Sequence, residues 1–110
     1  MKKFTEKEYA KREKIFIDLM RNHRGEENSI NYADIITIMN TYGFKMSHDC
    51  LRNFITQIKL KNRLPIVYTR GKGYFWAKRK SEIENTIKDL ILMQSSLQEQ
   101  VDLLREFVME

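Results

Sequence analysis

The clearest pattern in the chain is a helical stripe of apolar positions between Ser47 and Lys61. Ser47 can cap the free N–H groups of a first turn, and Met46 is placed to pack on Leu51. Four positions recur at the spacing that puts them on one face of a helix: Leu51, Phe54, Ile55 and Ile58. We therefore predict an amphipathic helix over Ser47–Lys61. Its other faces carry His48, Arg52, Asn53, Thr56, Gln57 and Lys59.

Two short runs after this helix have the composition of β-strands. Ile66–Thr69 and Tyr74–Ala77 are rich in β-branched and aromatic residues. Pro65 ends the preceding helix, because proline disfavours helical geometry for the residue before it. The connection Arg70–Gly73 contains two glycines, which suit a tight turn. The pattern predicts a β-hairpin with Arg70 and Lys72 at its tip.

A first helix is predicted from Thr5 to about Asn22. Thr5 and Glu8 have the spacing of a capping box, and Phe4 and Tyr9 are placed as the hydrophobic contact that accompanies it. An apolar stripe follows at helical spacing: Ile15, Phe16, Leu19 and Met20. This helix should support the core.

A second helix is predicted from Asn31, after a polar and acidic loop at residues 23–30. Its apolar face consists of Tyr32, Ile35, Ile36 and Met39. Gly43 is placed to adopt the left-handed conformation that ends a helix, and Phe44 can fold back on Met39. With Ser47–Lys61, this gives two helices joined by a short glycine-bearing turn, which is the helix-turn-helix pattern.

The last thirty residues, 81–110, have a different period. Eight positions alternate in steps of four and three: Ile83, Ile87, Leu90, Gln94, Leu97, Val101, Leu104 and Val108. This heptad pattern predicts a helix of about 40 Å, opened by a Ser81–Glu84 capping box, that pairs with a second copy of itself.

Two features of this segment leave alternatives open. Gln94 either fixes the register of the pair or marks a break in it. Further apolar residues lie outside the seam: Ile91, Leu92, Met93, Leu103 and Phe107. They suit either packing against the preceding domain or an assembly larger than two.

Charge is distributed unevenly along the chain. Residues 45–80 hold ten Lys and Arg against one acid, Asp49. Residues 25–44 hold three acids and no Lys or Arg, and residues 81–110 hold two basic and seven acidic residues. A positive cluster of this kind is typical of a phosphate-binding surface, and the acidic regions should not carry phosphate contacts.

The order of elements and the stretch LPIVYTRGKGYFWA resemble winged helix-turn-helix domains of small bacterial and phage regulators. The most specific part is the P-I-x-x-x-x-G-K-G-Y pattern from Pro65 to Tyr74. The resemblance covers roughly residues 5–80, and it implies that Ser47–Lys61 is the recognition helix and Arg70–Gly73 the tip of the wing. We expect a mainly α protein with a small β-hairpin, an α+β fold. A winged helix-turn-helix domain would occupy residues 1–80 and an oligomerisation helix residues 81–110.

Other chemistry has little support in the sequence. Cys50 is the single cysteine, which excludes an internal disulfide and a thiolate metal site. His23 and His48 are not at a metal-ligand spacing, so we expect no enzyme activity, no metal and no cofactor. No apolar run approaches the roughly 18 residues of a membrane span, and no apolar segment follows the basic N-terminus as in a signal peptide. These features favour a cytoplasmic protein.

The expected function is sequence-specific binding of double-stranded DNA by a homodimer. The residues expected to contact bases are His48, Arg52, Asn53, Thr56 and Gln57, and those expected to hold phosphates are Lys45, Lys59, Lys61, Arg63, Arg70 and Lys72. A transcriptional regulator or a replication or recombination accessory of a phage or mobile element would use such a surface. On residue types alone, the same helix face is equally typical of ordinary solvated side chains. The alternative function is an adaptor that binds another protein through the same fold.

Overall fold

The computed structural model describes residues 4–108 of the chain. Within them it contains four α-helices, a short 3₁₀ turn and one β-hairpin: α1 Glu6–Arg21, the turn Glu26–Asn28, α2 Tyr32–Thr41, α3 His48–Asn62, β1 Ile66–Thr69, β2 Gly73–Trp76 and α4 Lys80–Val108. The predicted α+β fold is confirmed. Strand β2 begins one residue earlier than predicted and does not include Ala77.

The N-terminal end of α1 has the predicted capping box. The Glu8 N–H donates to Thr5 Oγ1 at 3.2 Å, and the Thr5 N–H donates to the Glu8 carboxylate at 3.3 Å. The Phe4 and Tyr9 rings meet edge to face, with centroids 5.6 Å apart. The cap therefore fixes where α1 begins and brings Phe4 against the core.

The turn between α2 and α3 is set by hydrogen bonds that end one helix and begin the next. Gly43 has φ +89°, its N–H donates to the Asn40 carbonyl, and the Phe44 N–H donates to the Met39 carbonyl. These two bonds form a Schellman motif, and Gly43 has the left-handed conformation that was predicted to end the helix. Ser47 Oγ then accepts from the Cys50 N–H at 3.2 Å and caps α3.

The core lies between α1, α2, α3 and the hairpin. The four apolar residues predicted for one face of α3 are all buried, at 0 to 7 % exposure. Around them pack Phe16 and Met20 of α1, Ile35 and Met39 of α2, and Ile66 of β1. Because that face is fully used by the core, the opposite face of α3 is left open to solvent.

Strand β2 forms the middle of the sheet, since it also pairs with the polar loop at residues 23–30. The Ile30 and Tyr74 backbones exchange two hydrogen bonds of 2.8 Å, and the Trp76 N–H donates to the His23 carbonyl at 2.7 Å. A Cβ atom on Gly73 would lie 2.3 Å from the Ile30 carbonyl oxygen. Glycine is therefore required at position 73 for the loop to approach the strand.

The start of α4 differs from the prediction. The Ser81–Glu84 capping box is wrong, because the helix begins at Lys80 and Ser81 lies inside it. The carboxylate of Glu82 occupies the N-terminus instead: Oε1 accepts from the Lys78 and Arg79 N–H groups at 2.7 and 2.9 Å, and Oε2 accepts from the Glu26 N–H at 2.8 Å. Glu82 is 5 % exposed, and it ties α4 to the loop at residues 23–30.

Beyond Glu82, α4 is largely free of the rest of the chain. Its residues from Ile83 to Phe107 are exposed, except for the half-buried Thr86. Within residues 4–108, no helix has both the length and the hydropathy needed to cross a membrane.

Replacing Leu51 by Ala should lower the free energy of unfolding by about 2–5 kcal/mol, because the deleted side chain is fully buried among core residues. Leu60→Ala on the same helix is the matched control. Leu60 is 71 % exposed, and its loss should cost less than about 0.5 kcal/mol. Urea unfolding of both variants measures the difference, and equal losses would contradict the assigned packing.

Replacing Glu82 by Gln should cost about 1–3 kcal/mol at neutral pH, because an ionised acceptor of four hydrogen bonds is lost. Burial raises the pKa of Glu82, but the hydrogen bonds from Lys78, Arg79 and Glu26 outweigh it and lower that pKa below its ordinary value. Such a group stabilises the fold above its unfolded-state pKa and loses that contribution as pH falls through its folded-state pKa.

The unfolding free energies of the Glu82→Gln variant and the unchanged chain should therefore converge in acid. Glu99→Gln provides the control, since Glu99 is exposed on α4 and lies outside the apolar seam. Its removal should change stability by less than about 0.5 kcal/mol. A gap between the Glu82→Gln variant and the unchanged chain that did not narrow in acid would rule out the ionised carboxylate as its source.

Candidate nucleic-acid interface

The exposed face of α3 presents the residues predicted to contact bases. His48, Arg52, Asn53, Thr56 and Gln57 are all exposed on the side away from the core. The last four include pairs three and four residues apart, Asn53–Thr56, Arg52–Thr56 and Asn53–Gln57, so they form one continuous patch on the helix surface. Arg, Asn and Gln in such a patch offer the paired hydrogen-bonding groups that match base edges in a major groove.

Two of these side chains already have partners in the fold. The Thr56 hydroxyl donates to the Arg52 carbonyl at 3.1 Å and keeps only its acceptor capacity. The His48 ring stacks on Tyr32 of α2, with centroids 3.9 Å apart and an interplanar angle of 12°. One face of the imidazole is therefore covered, and only its edge can reach a ligand.

The wing tip contains one free and one paired cation. Arg70 is exposed and has no acidic partner among residues 4–108. Lys72 is bound to Glu26 of the neighbouring loop, with Nζ 2.5 Å from Oε1. The Ser29 hydroxyl also donates to the Lys72 carbonyl at 3.2 Å, so the loop holds both the backbone and the side chain of Lys72.

A pair of tyrosines lies on the wing within electrostatic reach of α3, and the sequence analysis missed it. Tyr68 and Tyr74 face each other across the hairpin, with ring centroids 4.8 Å apart. Burial and the neighbouring Tyr68 raise the pKa of Tyr74, while the positive charge of Arg52 on α3 acts in the opposite direction. Arg52 thus lies within electrostatic reach of the wing. Burial along β1 does not alternate, because Ile66 and Val67 are both buried and Tyr68 is exposed, so no strand pattern indicated the pair.

Two residues predicted to hold phosphates are engaged elsewhere. Lys59 is half buried, its Nζ donates to the Ile66 carbonyl at 3.4 Å, and burial lowers its pKa. Lys61 pairs with Glu13 of α1 at 3.1 Å, on the side of α3 that adjoins α1. Both contribute to holding α3 in place.

The other predicted phosphate residues are exposed at the two ends of α3. Lys45 precedes the helix, and Arg63 follows it in a left-handed conformation with φ +52° and ψ +56°. Neither has an acidic partner in the part of the chain that the structure describes. Together with Arg52 and Arg70, they are the uncompensated positive charges on the α3 and wing side.

The acidic loop at residues 23–30 lies against the base of the wing. Glu27 accepts two hydrogen bonds from the Arg79 guanidinium, at 2.8 and 2.9 Å, and lies 3.8 Å from Lys78. The Arg79 hydrogen bond lowers the pKa of Glu27 to about 2. Together with the Glu26–Lys72 pair, these contacts neutralise part of the positive charge in residues 45–80.

The seam predicted on α4 lies entirely on the surface. Its apolar residues up to Leu104 are 40 to 63 % exposed: Ile83, Ile87, Leu90, Leu97, Val101 and Leu104. Gln94 is exposed among them. The side chain of Val108 lies outside the described residues. A continuous apolar stripe of this length is unusual on a solvent-facing helix, and it indicates an interaction surface.

The remaining candidate groups are isolated. His23 Nδ1 forms a 2.8 Å hydrogen bond with the Asn28 carbonyl inside the loop. Cys50 is exposed on the first turn of α3. No group of three or more potential metal ligands comes together within residues 4–108.

Comparison with protein-family models, with curated proteins and with solved structures finds no match for this chain. The basis for a proposed function is therefore the surface formed by α3, the wing and α4.

Replacing Arg63 by Gly should raise the free energy of unfolding by about 0.5–1 kcal/mol. A left-handed backbone costs an L-residue roughly 1–2 kcal/mol, and glycine avoids this cost while adding some entropy to the unfolded chain. Arg63→Ala removes the same charge but keeps a Cβ atom, so it should bring no gain. Denaturant unfolding compares the two, and a gain in both variants would point to charge rather than backbone strain.

Proposed function

We propose that this chain binds double-stranded DNA in a sequence-specific manner as a homodimer. The observation that carries the proposal is the open face of α3, where Arg52, Asn53, Thr56 and Gln57 lie side by side. Arg52 on this face lies close enough to the wing for its charge to act on Tyr74. In winged helix-turn-helix proteins, which the sequence resembles, the corresponding helix enters the major groove.

Base recognition would fall to α3. Arg52 can donate two hydrogen bonds to a guanine, and Asn53 and Gln57 can each pair with an adenine. Thr56 can accept a hydrogen bond or contact a thymine methyl group. His48 would contribute through its exposed edge at the N-terminal end of the helix, which is the end that reaches bases in helix-turn-helix proteins.

Phosphate contacts would come from the uncompensated cations. Lys45 and Arg63 lie at opposite ends of α3, and Arg70 lies at the wing tip. Backbone contacts of this kind fix the position of α3 in the groove without reading sequence. Lys72 could join them only by exchanging its Glu26 partner for a phosphate.

The exposed stripe on α4 supports the homodimer. A second copy of the same helix offers a surface of matching period, and pairing would bury apolar side chains that are now half exposed. The acidic residues of this segment would keep α4 away from DNA, so that binding and dimerisation occupy separate parts of the chain. A reducing compartment such as the cytoplasm suits its lone cysteine.

The biological role that fits such a dimer is that of a transcriptional regulator or of a replication or recombination accessory in a phage or mobile element. An adaptor that binds another protein is the second candidate. The observation that favours it is the internal neutralisation of several cations on the α3 and wing side by Glu13, Glu26 and Glu27.

Selection of tight sites from random duplex DNA, titrated against salt, tests the proposal. We expect enrichment of a two-fold symmetric site and a steep loss of affinity with salt, because bound phosphates release counterions. If the chain did not retain duplex DNA at low salt, DNA binding would be excluded. The protein-binding adaptor would then remain as the candidate function.

Arg52→Ala and Arg70→Ala should weaken DNA binding in different ways. Loss of Arg52 should cost about 1–3 kcal/mol on the selected site and relax preference at one base position. Loss of Arg70 should weaken all sequences alike and reduce the salt slope by about one unit. Lys14→Ala on the exposed side of α1 is the control and should change neither quantity. If the two arginine variants behaved alike, the division between base and phosphate contacts would be wrong.

A further inference from the structure

We infer that two copies of α4 pair in the antiparallel sense, so that the last turns of each α4 lie beside the winged domain of the other. This inference rests on the proposed homodimer and specifies its geometry.

The apolar seam by itself fits both orientations. In a parallel pair each seam residue meets its own copy, so Gln94 meets Gln94. In an antiparallel pair with full overlap, the first and last members of the seam meet. The described layers are then Ile87 with Leu104, Leu90 with Val101, and Gln94 with Leu97, each formed twice. The residues beside the seam distinguish the parallel from the antiparallel orientation.

Charged residues along the edge of the seam favour the antiparallel pair. Glu84 directly follows Ile83, and Arg105 directly follows Leu104, so both lie on the same edge. With the layers above, Glu84 of one copy lies opposite Arg105 of the other at both ends of the dimer. In a parallel pair, the residue facing Arg105 across the seam is the uncharged Gln100.

The side of α4 that faces the winged domain supplies a second, independent argument. Glu82 is buried and Thr86 half buried, so these two residues mark that side. Met93 and Phe107 lie seven and twenty-one residues after Thr86, so they share its heptad position and project to the same side of a supercoiled pair. They are 59 and 65 % exposed, although they lie outside the seam.

Only the antiparallel pair brings Phe107 to a protein surface. Phe107 lies roughly 30 Å along α4 from Thr86, beyond the reach of its own winged domain. In an antiparallel pair, Phe107 of one copy lies level with Thr86 of the other, on the side where α4 packs against β1. In a parallel pair it would remain in solvent. The exposed Phe107 is thus explained by one orientation and left unexplained by the other.

The distance between the two points at which the winged domains join α4 is also comparable to one turn of DNA. Glu82 fixes each domain at the start of its α4. The two anchor points would be about 40 Å apart along an antiparallel pair, but only about 10 Å apart across a parallel one. Recognition helices that read successive major grooves lie about 34–36 Å apart.

Disulfide trapping tests the orientation without DNA. In a Cys50→Ser background, two single-cysteine chains are made, Ile87→Cys and Leu104→Cys, at exposed positions remote from the winged core. Oxidation of an equimolar mixture should give at least about tenfold more cross-linked dimer than either chain alone. Self-linking of each chain alone, without enrichment in the mixture, would establish the parallel pair and overturn the inference while leaving the homodimer intact.

Sedimentation of the unchanged chain tests the homodimer separately from its antiparallel orientation. A monomer at all concentrations would overturn the homodimer itself, and the antiparallel pair with it.

Because a cysteine in the seam can weaken pairing, a charge exchange gives a second measurement. Glu84→Lys should weaken dimerisation by about tenfold through two like-charge contacts, and adding Arg105→Glu in the same chain should restore it. Absence of restoration would count against the antiparallel contact.

Discussion

The arrangement of this protein depends on the buried carboxylate of Glu82. Its two oxygens accept from three backbone N–H groups and from the Arg79 guanidinium, so the cost of removing a charge from water is offset by a full set of hydrogen bonds. One oxygen caps the start of α4, and the other holds the Glu26 backbone 56 residues earlier in the chain. The direction in which α4 leaves the domain is thereby fixed.

The same contact influences the wing. Glu26 uses its N–H to bind Glu82 and its carboxylate to bind Lys72, so the loop at residues 23–30 connects the base of α4 to the wing tip. The neighbouring Glu27 neutralises Arg79 at the base of the wing. The positive surface presented by α3 and the wing is therefore smaller than the residue count suggests, and it is concentrated on Arg52, Arg70 and the two ends of α3. A restricted positive patch favours a defined docking position over indiscriminate attraction to phosphate.

Elements governed by local sequence could be predicted, and contacts between distant residues could not. The caps at Thr5 and Ser47, the glycine-bearing turn at Gly43 and the buried face of α3 all depend on residues within one or two turns of each other. Glu82 caps α4 through the nearby Lys78 and Arg79 N–H groups, but its burial depends on Glu26, 56 residues earlier, and the Ser81–Glu84 pattern therefore suggested the wrong cap. The intramolecular partners of Lys59 and Lys61 could not be predicted for the same reason, since the Ile66 carbonyl and Glu13 reach them only in the folded chain. Gly73 did signal a turn, but not that a third backbone segment passes beside it.

The hydrogen-bonded junction at Glu82 determines how pairing through the exposed stripe on α4 would position the winged domains. If α4 swung freely, pairing of two copies would bring the winged domains together at variable distances, and the effective concentration of the second domain at a half-site would be low. Because Glu82 holds the first turn, the distance between the two α3 helices of the proposed dimer would be set by the paired α4 helices. A single winged domain with few uncompensated cations would bind weakly by itself. Two such domains held at a fixed spacing can multiply modest contacts into selective binding, provided that the spacing of the half-sites matches.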